Sequence, residues 1–382
     1  LTGMFLKKKN DKIDTTPIEL VFSKKSCLLQ LKHNYNQNEL FGDNYGYRSS
    51  LNLSMKNHLI RKSIKLSKKL NLKKGEAILD IGSNDGTFLN SFPNNITKYG
   101  IDPTAKKFKK FYNKKIKIIP SLFDANVLKD SNIKFKLITS IAMFYDLLDP
   151  KLFCYNVAKY LHKDGIFHIE TAYLPDILKK YSFDTFCQEH LTYFSLTSFK
   201  YLIDQTPFKI INISRNNING GSINFDLAFK DTKWKSIDKK IKKIILFEKK
   251  NKIHKPSTYI NFFKQIKFNS IKINSFIKKL KKNNKKIYAL GASTKGNVIL
   301  QMCKLNNKII DAIYDVNSFK FGKFTPGTKI PIVNEKEIYQ DKPDYILLLI
   351  WHFKETFKIK FNKFKKLKVG YIIPFPSLKI KH

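Results

Sequence analysis

Short apolar runs bounded by polar turns alternate along this chain with stretches whose apolar residues recur at helical spacing. Ala77 to Ile81 reads as a buried parallel strand that breaks at Gly82 into a short polar loop, and an apolar helical pattern follows. Tyr99–Asp102 and Lys136–Ala142 repeat the strand pattern, and Met55–Leu70 reads as an amphipathic helix leading into the first strand. Upstream, Ile18–Ser23 and Leu28–Leu31 predict a short hairpin, and Leu40–Ser50 a polar-aromatic loop. A second α/β unit opens at Lys286–Leu290, turns at Gly291, and continues through Ile309–Asp315 and Tyr345–Ile350, where Trp351 and His352 close the strand. Between the two units, Asp231–Asn284 carries many lysines and spaces Ile237, Ile241, Ile244 and Ile245, then Ile271, Phe276, Ile277 and Leu280, as helices do. It predicts one or two exposed helices bridging domains, with a solvated charged face. The expected division is 1–59, 60–230, a helical linker 231–284, and 285–382. The expected fold class is α/β: a Rossmann-like domain, then a second C-terminal Rossmann-like domain, joined by a helical segment.

The first loop carries the chemistry. Gly82 and Gly86 free backbone positions that a side chain would block, so a ligand can approach the turn closely. Asp80 ends the strand at its carboxyl edge, where open α/β sheets bind ligands. A dinucleotide loop of the GxGxxG type would need glycine where Asn84 stands. The spacing resembles the Asp/Glu-x-Gly-x-x-x-Gly motif of class I methyltransferases that use S-adenosylmethionine. That resemblance assigns Asp80, Gly82, Ser83, Asn84, Asp85 and Gly86 to the cofactor. Asp102, about twenty residues on, matches the acid that takes ribose hydroxyls, Phe123 and Asp124 match the adenine position, and Ser140 lies on the fourth strand.

Composition narrows the class. With 382 residues, 42% of them hydrophobic and 32 Phe, the chain can build two or three cores. No apolar run approaches the length of a membrane span. Leu1–Leu6 leads straight into three lysines, so no secretory leader is expected from it, and the four scattered cysteines form no CxxC. A reducing, cytoplasmic setting is expected. The net charge of +42 raises the question of nucleic acid. The lysines are spread over the whole chain, however, and Arg occurs only at 48, 61 and 215. Non-specific adhesion to polyanions is expected, and specific nucleic-acid recognition is not. Oligomeric state is not legible.

Phe183-Asp-Thr-Phe-Cys-Gln-Glu-His-Leu-Thr-Tyr-Phe-Ser-Leu196 is the most specific stretch. With Tyr45-Gly-Tyr-Arg-Ser-Ser50, Gly220-Gly-Ser222, the Gly291–Asn297 loop and Phe324–Pro331, it resembles the C-methyltransferases of nucleotide-linked 4-keto deoxysugars over nearly the whole chain. Members have an N-terminal zinc module, a methyltransferase domain, and a Rossmann-like domain that helps hold the nucleotide sugar. The resemblance implies His190 as the base that makes an enolate, with Glu189 assisting and Tyr45 or Tyr47 hydrogen-bonding the enolate oxygen. Gln188 replaces the usual first His of the signature, and Asp146 stands where some relatives carry His. Gly220, Gly221, Gly291, Lys295, Gly296 and Asn297 are expected to face the nucleotide sugar, Lys295 at a helix start suited to phosphate. Gly220-Gly221 also reads simply as a hairpin turn.

The zinc module is where the chain departs from that family. Ser23 and Ser26 hold two ligand positions and Cys27 is displaced by one, so zinc is not expected. The first CxxC, and the natural N-terminus, are expected upstream of Leu1. Two rival functions remain at this level: an RNA methyltransferase, motivated by charge, and a catalytically decayed nucleotide-binding relative, motivated by the lost zinc ligands.

Overall fold

The computed structural model describes residues 2–41, 45–129, 131–351 and 367–381. His352 lies outside the described residues.

The N-terminal hairpin forms as β1 (Leu20–Phe22) and β2 (Leu29–Leu31). Its turn is closed by the two serines: Ser23 Oγ accepts from Ser26 N at 3.2 Å, and Ser26 Oγ accepts from Leu28 N at 3.3 Å. Cys27 is in the left-handed region at φ 55°.

Helix α1 (Leu53–Leu70) starts where Asn52 caps Ser54 N and Met55 N and stops where Asn71 turns left-handed, a cap worth about 1 kcal/mol. It lays Met55, Leu59 and Leu66 on the sheet that follows. That sheet comprises β3 (Ala77–Ile81), β4 (Thr97–Ile101), β5 (Ile116–Ile119), β6 (Phe135–Ile141) and β7 (Leu161–Ala172), then, after a two-residue strand β8 (Thr192–Tyr193), β9 (Phe208–Asn216) and β10 (Ser222–Phe229). The order is β5-β4-β3-β6-β7-β10-β9. The first five are parallel, whereas β10 runs antiparallel between β7 and β9. All five residues of β3 are buried, so its apolar run needs no alternation.

Strand β8 does not join that sheet. It pairs with β2, Leu29 opposite Tyr193 and Gln30 opposite Thr192, so the hairpin grips the segment just after His190.

The span 231–284 forms two helices, α2 (Asp238–Lys250) and α3 (Pro256–Lys282). The expectation of a bridging segment needs one correction. One stripe of α3, including Phe262, Ile266, Ile273 and Ile277, is buried in the core of the C-terminal sheet, because its apolar spacing matches that sheet's face. The C-terminal sheet has β11 (Ile287–Leu290), β12 (Ile313–Asp315), β13 (Ile332–Asn334), β14 (Tyr345–Leu348), β15 (Gly370–Ile373) and β16 (Lys379–Lys381), in the order β13-β12-β11-β14-β15-β16. Helix α4 (Thr294–Met302) follows β11, with Ser293 Oγ capping Gly296 N. No helix among the described residues is long and apolar enough to cross a membrane.

Candidate active site

A cavity of about 420 Å³ opens at the carboxyl ends of β3, β4, β6 and β7 and is closed from the other side by the Gly291–Lys295 turn and Asp315 of the C-terminal unit. The polar ends of the parallel strands and two chain reversals leave this space because each strand must give way to a loop before its helix.

The β3 end of the cavity is acidic. Asp80 is buried and accepts from Thr139 Oγ1 at 2.5 Å; burial dominates and pushes its carboxyl up to about 7. Asp102 accepts from Asn84 N at 2.8 Å and from Thr104, and burial likewise raises it. Gly82 has φ 81°, and a Cβ there would come within 3.1 Å of the Met143 side chain, so only glycine keeps this turn open. Glu170, which the sequence reading did not single out, also lines the cavity. Burial would raise its carboxyl, but Lys62 and His58 outweigh burial and hold it down at about 2. Both bases come from α1, whose buried face carries them onto β7. A fixed anion beside Asp80 and Asp102 suits a cofactor that carries sulfonium and ammonium charges. The donor set and the open turn therefore fit S-adenosylmethionine.

The opposite end holds the signature residues. Glu189 is buried, and its Oε1 accepts from Thr294 Oγ1 of α4 at 3.2 Å. Burial pushes its carboxyl from 4.5 to about 7. His190 Nδ1 lies 2.7 Å from Thr185 O, which commits that nitrogen to donating and leaves Nε2 as the acceptor. Burial first, then the Lys295 charge, lowers its imidazolium to about 3, so His190 is neutral at pH 7. Cys187, Glu189 and His190 bring their polar atoms within 4.8 Å of one another. Burial raises both the thiol and the carboxyl.

The tyrosines separate. Tyr45 and Tyr47 both line the cavity, but Tyr45 feels Glu189 and Asp146, whereas Tyr47 feels Asp85 and offers its carbonyl to Asn84. Tyr45 is thus on the Glu189 side of the cavity. Tyr145, missed from sequence, joins it: its ring lies 4.4 Å from the His190 ring.

Several residues expected at the ligand lie outside the cavity wall. Asp124 is exposed and caps Asn126 N and Val127 N; Ser121, Leu122 and Phe123 take its place along the wall. Asp85 holds the turn through Ser50 N and Thr87, Gly86 packs on Tyr112, and Ser140 is buried within β6. Gly220 and Gly221 shape the turn whose neighbours Asn219 and Ser222 line the cavity, with Gly221 against Asp176. Gly296 N donates to the Ser293 Oγ cap, and Asn297 Nδ2 donates to Thr2 O. Gly291 and Lys295 do face the cavity, and Lys295 reaches Asn219 O at 3.2 Å across the two units. These differences share a cause: sequence spacing locates a loop, but which of its side chains turn inward depends on what caps each turn.

A seven-stranded sheet with one reversed strand, ending in this acidic glycine turn, is the class I methyltransferase fold. Residues 53–213 match a family described as a methyltransferase domain, and residues 217–376 match one described as a C-methyltransferase C-terminal domain. Fold and site together make this chain an S-adenosylmethionine-dependent methyltransferase. It is similar to C-methyltransferase NovU of Streptomyces niveus, with 26% identity over 95% of this chain and 87% of that one. Solved structures that resemble it include YcgJ of Bacillus subtilis (16% identity, 46% of this chain and 100% of that one, TM-score 0.37) and the N-methyltransferase NodS of Bradyrhizobium japonicum (14%, 46% and 96%, TM-score 0.34).

Proposed function

We propose that the chain methylates a carbon beside the ketone of a nucleotide-linked keto deoxysugar, through an enolate. The observation that carries this reading is the composite cavity. The acidic cofactor end, the Glu189–His190 pair, and the Gly291–Lys295 turn of the second α/β unit all border one space. Lys295, near the start of α4, supplies charge for a diphosphate. S-adenosylmethionine, when bound, offers a methyl group on sulfonium, an electrophile suited to an enolate carbon.

In this reading His190 Nε2 takes the proton from the carbon beside the ketone. Lys295 holds the imidazolium down in the free site, and a diphosphate on Lys295 offsets that charge, so substrate binding strengthens the base. Ionised Glu189, within 4.8 Å of His190, stabilises the imidazolium that forms. Tyr45 faces the same space and donates to the developing oxyanion.

The test is transfer of labelled methyl from S-adenosylmethionine to a panel of nucleotide 4-keto-6-deoxysugars, with bulk RNA as a parallel acceptor at moderate salt. Label in a sugar is expected. Label in RNA alone would replace the sugar reading with that of an RNA methyltransferase, and cofactor binding with label in neither would favour a binding protein without turnover.

A further inference from the structure

Asp146 ends the short helical turn Phe144–Asp146 after β6, at the cavity wall. It is 8% exposed, and its Oδ1 is buried without a hydrogen-bond partner among the described residues. Such an atom is costly in a folded protein unless something else satisfies it. Its backbone is pinned: Asp146 O accepts from Gln37 Nε2 at 2.7 Å, and Tyr145 O accepts from Leu191 N at 2.9 Å. The side chain therefore cannot leave the wall cheaply. The titratable groups that face it are Glu189, Tyr45, Tyr145, Cys187 and Tyr193, all neutral or acidic. Burial and the neighbouring Glu189 both push its carboxyl well up, with no cation among the described residues to oppose them.

We propose that Asp146 is a further catalytic residue: a protonated carboxylic acid that donates a hydrogen bond to the substrate carbonyl oxygen as the enolate forms. This rests on the keto-sugar reading above. When the base takes the proton, the C–H pair becomes the new carbon–carbon double bond and the carbonyl π pair moves onto oxygen. Asp146 and Tyr45 donate to that oxygen, and Asp146 keeps its proton throughout. A carboxylic acid held neutral in an apolar site is a strong donor of this kind. An ionised carboxylate at the same place would repel the enolate.

The measurement is exchange of the substrate's α-proton for solvent deuterium, run with S-adenosylhomocysteine in place of the methyl donor, alongside methyl transfer. Asp146→Ala is expected to slow both by about 10²–10³-fold, the usual loss for one oxyanion donor, with cofactor affinity within about threefold of wild type. Asp146→Asn keeps a donor and is expected within about tenfold of wild type in exchange. It carries the test if the alanine variant fails to fold. An Asp146→Ala protein at wild-type rates, or an Asp146→Asn protein as slow as the alanine variant, overturns the assignment while leaving the sugar reading intact. A wild-type protein that neither exchanges nor methylates any keto sugar overturns both.

Discussion

Glu189→Gln separates stability from catalysis in one variant. Glu189 has a carboxyl held at about 7 in place of 4.5, chiefly by burial. Each tenfold in acidity is worth about 1.4 kcal/mol, so keeping this group ionised in the fold costs about 3 kcal/mol. The sign follows from the raised value. Below pH 4.5 the group is protonated whether folded or unfolded, and above it the unfolded chain ionises first. Wild type therefore loses stability from about pH 4.5 up to about pH 7 and then levels. Gln carries no such cost and can still accept from Thr294. Glu189→Gln is expected to match wild type near pH 4.5 and to exceed it by up to about 3 kcal/mol at pH 8, read as urea-unfolding midpoints at both pH values. Catalysis moves the other way. Within 4.8 Å of His190 and at an effective dielectric of 20, an ionised Glu189 favours the imidazolium by about 3 kcal/mol or more. Its loss should lower kcat about 10²-fold at pH 8 and remove the rise of kcat/KM through about pH 7 expected of wild type. Full activity in the variant, or a stability difference equal at both pH values, would refute the electrostatic account of this pair.

Three further outcomes are expected. Asp102→Ala should weaken S-adenosylmethionine binding about 10–100-fold by calorimetry, given about 1.5–3 kcal/mol for a hydrogen bond to a charged group, whereas Asp102→Asn, which still accepts from Asn84 N, should lose less. Tyr45→Phe should cut kcat about tenfold or more with KM little changed, while Tyr47→Phe, on the cofactor side, should leave kcat near wild type; equal effects would remove the distinction between them. Lys295→Ala should raise KM for the nucleotide sugar about tenfold, with strong dependence on ionic strength lost, and should raise the His190 imidazolium value, measurable by NMR, because burial and then the Lys295 charge hold it down.

Much of this protein was legible from pattern alone. The apolar run Ala77–Ile81 is β3 residue for residue, since a strand buried on both faces has no other way to be written. Asp80, Gly82 and Asp102 line the cavity because strand ends and glycine turns are local features that spacing reveals. The signature Cys187–His190 marked one end of the cavity, although Thr294 and Gly3, which pack on Glu189, are distant from it along the chain. Asp124 looked like a ligand by position, yet its carboxylate has two nearer backbone N–H groups to cap. Glu170 carries no motif; only the approach of His58 and Lys62 across 112 and 108 residues makes it an anion at the cavity. Asp146 was visible as a residue but not as an acid that keeps its proton, which depends on the burial and the neighbouring Glu189 that packing supplies. Local sequence determined the elements, their order and the loops that bear the chemistry, because periodicity and turn residues act over a few positions. Which carboxyl is charged, which tyrosine faces the Glu189–His190 pair and which turn points inward were decided by tertiary structure, because desolvation and Coulomb interactions depend on distance in space and not along the chain.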